Sequence, residues 1–190
     1  MKDDLDYRDL KAVAQPADSA KIVFCLFGKR VLQELIVDIA TQQLHCMHAG
    51  KCIKSYVIST AAKGVGEKKG SEQTPRGRHI IRAKIGANQL RNAVFIGRRF
   101  TGEVYSPQLA KQYPHRDWIL SRILWLSGLE VGKNRLNNCD TMQRYIYIHG
   151  CPDEKINGTP ASHGCIRMRN ADIIELFDSV PIRTPVLIRG

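Results

Sequence analysis

The sequence predicts a mainly β protein with short helices, an α+β fold. Three observations carry that expectation. Residues 34–59 hold consecutive runs of β-forming residues separated by turn residues, the pattern of a meander. Residues 61–77 contain Gly64, Gly66, Gly70, Pro75 and Gly77, which break any helix or strand period and mark a loop. Most remaining apolar runs are short, and only two segments have the length and spacing of helices.

Residues 1–20, with Asp3, Asp4, Asp6, Asp9 and Asp18, read as a loose N-terminal arm, and residues 21–190 as a single domain. Lys21–Phe27 (KIVFCLF) is expected as a first short strand and Glu34–Ile39 (ELIVDI) as a second. Gln43–His48 and Lys51–Ser59 form a hairpin around Ala49-Gly50. In a two-residue loop His48 faces Lys51 and Met47 faces Cys52. Cys46 and Cys52 then project from opposite faces and no bridge joins them. His79–Ile85 and Ala93–Gly97 are further strands, and 105–116 is irregular. Asp117 is placed to cap a helix running through Ser127. Its Ile119, Leu120, Ile123, Leu124 and Leu126 approximate a helical stripe, with Trp118 and Trp125 as packing residues. Arg144–Ile148 (RYIYI) is a strand that ends at His149-Gly150. Asn170 caps a second helix, 171–180, with Ile173, Ile174, Leu176, Phe177 and Val180 on one face. Val186–Ile188 closes the fold as a last strand.

A chain of 190 residues with 43% apolar content buries a core without metals or disulfides to hold it. Six cysteines (Cys25, Cys46, Cys52, Cys139, Cys151 and Cys165) are too sparse for a disulfide framework. No stretch reaches the ~18 apolar residues of a membrane span. The net charge of +11 favours polyanionic partners, acidic wall polymers included. The basic residues are dispersed, however, without the clustered face that nucleic-acid binding requires, so no nucleic-acid partner is expected.

Nucleophilic cysteine chemistry needs a thiol, a base to take its proton, a group that orients the base, and donors for the developing oxyanion. His149-Gly150 at a strand end, and Ser162-His163-Gly164-Cys165 after a turn-rich loop, supply all four. Taken singly, a cysteine is more often an inert small hydrophobe and a histidine a hydrogen-bonded surface residue. Their pairing beside glycines leaves the functional and structural readings both open. The two His-x-Cys pairs, His149/Cys151 and His163/Cys165, have a single intervening residue. Zinc pairs usually have about two to four, so no metal or cofactor is expected.

The segment His149-Gly150, then Ser162-His163-Gly164-Cys165-Ile166-Arg167-Met168, resembles the signature of the YkuD-type L,D-transpeptidase family. The early hairpin, Thr74-Pro75-Arg76-Gly77 and the closing helix and strand extend the resemblance over residues 34–189. The resemblance implies a YkuD-like β-sandwich and an enzyme acting on peptidoglycan stem peptides, as both acyl donor and acceptor. Cys165 would form a thioester with release of D-alanine, and a second stem peptide would resolve it as a 3→3 cross-link. It implies His149 as base, the Gly150 carbonyl as its orienting group, and His163 with the Gly164 and Cys165 amides at the oxyanion. Arg167 and Ser162 would be substrate-binding. Carbapenem-type inhibitors would acylate Cys165. Cys151, where the family often has a small polar residue, suggests a regulatory disulfide with the nucleophile. The alternatives are an L,D-carboxypeptidase or endopeptidase on the same scaffold, and a non-catalytic basic wall-binding module. The implied address is the cell envelope or periplasm. The acidic start, lacking an apolar stretch, is not a secretory signal and keeps the cytoplasm open.

Overall fold

Alternation of buried and solvent-facing residues organises the chain from Glu34 to Ser59. The computed structural model describes residues 34–190; the N-terminal arm and the strand expected at 21–27 lie outside the described residues. Strands β1 (Glu34–Asp38), β2 (Gln43–His48) and β3 (Lys51–Ser59) form an antiparallel meander. Leu35, Val37, Leu44, Cys46, Tyr56 and Ile58 point inward and are buried. His48 pairs with Lys51 and Met47 with Cys52, the register expected of the Ala49-Gly50 turn. Cys46 is buried, Cys52 is exposed, and both are free thiols, as opposite faces require.

The remaining strands are β4 (Gly77–Ile85), β5 (Ala93–Ile96), β6 (Arg99–Val104), β7 (Ile119–Gly128), β8 (Tyr147–Gly150), β9 (Ile166–Met168) and β10 (Pro185–Arg189). Two helices join them, α1 (Pro107–Gln112) and α2 (Asn170–Ser179). The sheet order is β4-β10-β1-β2-β3-β9-β8-β7-β5-β6. Because β4 also pairs with β7, the sheet folds back on itself and closes, which gives the sandwich-like, mainly β architecture. One large cluster fills the interior and includes Leu35, Leu44, Ile58, Leu124, Ile148, Ile166, Met168 and the α2 residues Ile173, Leu176 and Phe177. Among the described residues no helix is long and apolar enough to cross a membrane.

The helix expected over 117–127 is the strand β7. It pairs with β8 along one edge and with β4 and β5 along the other. Both its faces are covered, so its apolar residues run almost without interruption. A bulge at Ser121-Arg122 puts Leu120 opposite Gly150 and Ile123 opposite His149. Ser121 takes a left-handed φ of 63° there. The two inserted residues are polar and separate Ile119-Leu120 from Ile123-Leu124, so the apolar positions fall three and four apart, as they would in a helix.

Three smaller differences have local causes. The strand expected to start at Arg144 starts at Tyr147, because Tyr145 adopts φ 57° in a turn. The segment 105–116 contains α1, which starts with Pro107 and is capped by Ser106 Oγ accepting from the Leu109 amide. Helix α2 begins at Asn170 itself, and Asp153 Oδ1 accepts from the Asn170 amide at 2.7 Å. Asn170 cannot cap because its side chain is buried elsewhere: its Nδ2 donates to the Cys151 carbonyl at 2.8 Å, and its Oδ1 accepts from Ser121 Oγ.

Candidate active site

The parallel pair β8–β9 brings the sequence-predicted residues together. Ile148 pairs with Ile166 and His149 with Arg167. One step earlier, Cys165 lies beside Tyr147, whose amide donates to Cys165 Sγ at 3.4 Å. Side chains two apart in a strand share a face. Tyr147, His149, Cys165 and Arg167 therefore share one face, with His149 diagonal to Cys165. The opposite face sends Ile148, Ile166 and Met168 into the main core. Cys165 packs with Ile123, Phe95, Tyr147 and Trp125 in a second apolar cluster.

His149 is buried, and its Nδ1 lies 2.8 Å from the Gly150 carbonyl. A carbonyl only accepts, so the neutral ring carries its proton on Nδ1 and keeps Nε2 as the basic nitrogen. Gly150 has no room for a side chain. A Cβ there would sit 2.6 Å from the Leu120 carbonyl oxygen and 2.7 Å from Asn170 Oδ1. The β7 bulge and Asn170 thus set where His149 stands.

The turn leading into β9 is held from within. Ser162 is buried; its Oγ donates to the Cys165 carbonyl at 2.6 Å and accepts from the Gly164 amide at 3.1 Å. Gly164 takes φ 128°, a left-handed value that favours glycine. Its carbonyl accepts from Thr74 Oγ1 at 3.0 Å, and Thr74 Oγ1 accepts from the Ala61 amide at 3.0 Å. Arg144 ties the 61–77 loop down by donating to the carbonyls of Gly66, Glu67 and Gln73. The Gly164 N–H expected at the oxyanion is thus spent inside the turn. Among the described residues the Cys165 N–H carries no hydrogen bond.

Two placements differ from the substrate-binding expectation. Ser162 is too deeply enclosed to meet a substrate. Arg167 is buried, its Nη2 paired with Asp117 Oδ1 at 2.7 Å and its Nη1 donating to the Ala161 carbonyl at 3.0 Å. Its fork is occupied before any ligand arrives. His163 is exposed, with Nδ1 at 3.7 Å from Asp117 Oδ2. Asp117 therefore holds Arg167 at the end of the turn and stands near His163. Sequence reasoning had placed it as a helix cap, because nothing local to Asp117 signals a partner fifty positions later.

Burial pushes the Cys165 thiol up to about 12, although the Tyr147 amide pulls the other way. Burial holds His149 down to about 4 against the opposing Gly150 hydrogen bond. The resting pair is a neutral thiol and a neutral imidazole. In keeping with this, Sγ donates to the Tyr145 carbonyl at 3.5 Å. Cys151 is likewise buried and raised to about 12, with its Sγ turned to the Pro152 carbonyl. It lies four residues beyond Tyr147 along the strand direction, ~13 Å at the rise of a strand. A disulfide spans Cα atoms at most ~7 Å apart, so the Cys151–Cys165 bridge does not form without moving the backbone. Among the described residues, no three His, Cys, Asp or Glu side chains gather as a metal site.

The family model of the L,D-transpeptidase catalytic domain, YkuD, matches residues 33–188. The chain belongs to the YkuD family. The putative L,D-transpeptidase YqjB of Bacillus subtilis (strain 168) is 46% identical over 45 residues, 24% of this chain and 26% of that protein. The solved structure of Bdellovibrio bacteriovorus Bd1075 has a TM-score of 0.51 and 18% identity, covering 82% of this chain and 46% of that one. L,D-transpeptidase 3 from Mycobacterium tuberculosis, in complex with a faropenem-derived adduct, has a TM-score of 0.48 and 14% identity, covering 83% and 60%. The match thus spans about a quarter of the curated relative and about half of Bd1075. The YkuD domain here carries His149 on β8 and Cys165 immediately before the adjacent parallel strand β9, inside a closed sheet.

Proposed function

We propose that this YkuD domain is an L,D-transpeptidase acting on peptidoglycan stem peptides in the cell envelope, with Cys165 as nucleophile and His149 as base. The observation that carries the reading is the β8–β9 pair: a buried imidazole with its tautomer set by the Gly150 carbonyl, on the same face as a thiol one diagonal away.

Cys165 Sγ attacks the carbonyl of the L-centre of diaminopimelate. The S–C bond forms as the thiol proton passes to His149 Nε2. That proton goes on to the departing D-alanine nitrogen as the C–N bond breaks. The side-chain amine of a second diaminopimelate then attacks the thioester. Its C–N bond forms, the S–C bond breaks, and the amine proton returns through His149 to restore the thiol. The Cys165 N–H is the oxyanion donor, and His163 lines its approach. Ser162, Gly164 and Arg167 hold the turn in shape. Because both resting groups are neutral, proton transfer accompanies attack instead of preceding it.

Incubation with a disaccharide-tetrapeptide tests this by mass. A dimer lacking one D-alanine supports transfer; tripeptide alone assigns the L,D-carboxypeptidase reaction. If Cys165→Ala leaves product formation unchanged, Cys165 is not the nucleophile; if neither chain forms product while both bind wall polymer, the domain is a wall-binding module. A carbapenem is expected to add once to the wild-type chain and not at all to Cys165→Ser. An adduct that survives in that variant moves the nucleophile elsewhere.

A further inference from the structure

Arg98 stands at the tip of the β5–β6 hairpin, in the two-residue turn Gly97-Arg98, where φ is 53° and 68°. A left-handed conformation costs a non-glycine residue about 1 kcal/mol, so this side chain is held where a glycine would be easier. Its guanidinium lies over the Trp125 ring, 4.6 Å from the centroid, and over the Tyr145 ring at 4.9 Å. Its Nη1 donates to the Tyr147 hydroxyl at 2.9 Å. Tyr145 and Tyr147 are the same two residues whose backbone groups contact Cys165 Sγ. A half-buried cation is therefore one residue removed from the nucleophile by two routes.

Five other arginines of the fold, Arg76, Arg91, Arg116, Arg167 and Arg189, are neutralised by carboxylates, while Arg82 and Arg144, among others, are not. Among the described residues Arg98 has no such partner. The two ring contacts are made by the guanidinium as a cation and use none of its N–H groups as hydrogen bonds to oxygen. Of five in-plane N–H donors, Tyr147 takes one. The free edge is the part that grips a carboxylate. Arg82 lies over the same Trp125 ring at 5.5 Å and adds a second positive charge.

We propose that Arg98, supported by Arg82 and braced by Trp125, Tyr145 and Tyr147, is a carboxylate-recognition subsite beside Cys165. It takes a free carboxylate within a few bonds of the attacked amide. This inference rests on the peptide-acylation reading above. Two groups of the donor share the chemistry: the C-terminal carboxylate of the leaving residue and the side-chain carboxylate of diaminopimelate.

Binding of donor tetrapeptides to the Cys165→Ala chain, measured by calorimetry, tests the subsite without turnover. Three peptides are compared: both carboxylates free, C-terminally amidated, and amidated at the diaminopimelate side chain. Amidation of one of the two is expected to weaken binding by about 10–100-fold, the range of a charge-assisted hydrogen-bonded pair. That amide identifies the recognised carboxylate. Adding Arg98→Met should weaken the all-acid peptide by the same factor and leave that amide unaffected, while Arg98→Lys recovers part of the loss. Equal affinity for all three peptides, or an Arg98→Met loss of the same size on every peptide, overturns the subsite. The amide comparison in the Arg98 chain stands even if the variants fold poorly. Transfer assayed separately with the Cys165 chain reports on the acylation reading. Discrimination between acid and amide without any transfer would reject that reading and keep the subsite.

Discussion

The β1–β3 meander and the β7–β9 stack use similar residues and obey different rules. In the meander one sheet face stays partly wet, the inward residues of β1 and β2 are apolar, and alternation runs through both, with one bulge against β3 at Cys46-Met47. In the stack both faces are buried, and several buried positions are polar: Ser121, His149 and Arg167, with Ser162 and Asn170 beside them. Each of these is hydrogen-bonded or ion-paired, as burial demands. The first region carries stability through apolar area; the second gives up some apolar area to position chemistry. Substitutions should separate the two.

The largest effect belongs to the stack. Cys165→Ser is expected to lower transfer on the order of 10⁴-fold or more, measured by product mass, while melting stays near wild type. A melting loss as large as that of a core deletion would mean the thiol is a packing residue. Gly150→Ala comes next and should damage stability and activity together. Its Cβ would meet the Leu120 carbonyl oxygen at 2.6 Å, and overpacking of that kind costs about 1–3 kcal/mol or more. Denaturant unfolding checks it. An unaffected Gly150→Ala chain would show that β7 and α2 give way and do not set His149. Leu44→Ala, deep in the meander, should cost about 2–5 kcal/mol and leave the transfer rate per folded molecule unchanged. A specific loss of turnover in that variant would remove the division between the regions.

The pH response sharpens the same contrast. His149 and His79 are both held down to about 4 by burial, against an ordinary 6.5. Between these values the unfolded chain binds protons that the folded chain refuses. Stability is therefore fully present above about pH 6.5 and falls as pH drops towards 4, on the order of 3 kcal/mol for each group. His79, which hydrogen-bonds Thr141 away from Cys165, separates the contributions: His79→Gln should flatten part of the acid loss. An unchanged acid limb assigns that loss to other groups. The smallest and finest test is alkylation of Cys165 by a neutral reagent. Its rate should climb through the alkaline range towards the thiol's raised value of about 12. A plateau near neutrality would indicate a preformed thiolate–imidazolium pair.

The hairpin turn was legible because its signals are local and set the register of Met47 with Cys52; the bulge beyond it, which puts Cys46 opposite Lys54, was not. The candidate site was legible as a motif, since His149-Gly150 and Ser162 to Met168 are short continuous stretches. Strand β7 was misread because a bulge between Leu120 and Ile123 disguises its period. Ser162 and Arg167 were expected to face substrate because sequence shows which donors exist and not how many are already spent.

The amino-acid sequence by itself determined the family signature, the hairpin turn and which thiol and imidazole are the candidate pair. These follow from residue types at short, fixed separations, where backbone geometry leaves little choice. Only the tertiary structure decided that Asp117 occupies Arg167, that Asn170 and the β7 bulge set Gly150, that Cys151 stands apart from Cys165, and that Arg98 keeps its edge free beside the nucleophile. Each joins residues distant in the chain, and whether a donor is spent depends on partners that only packing brings within reach.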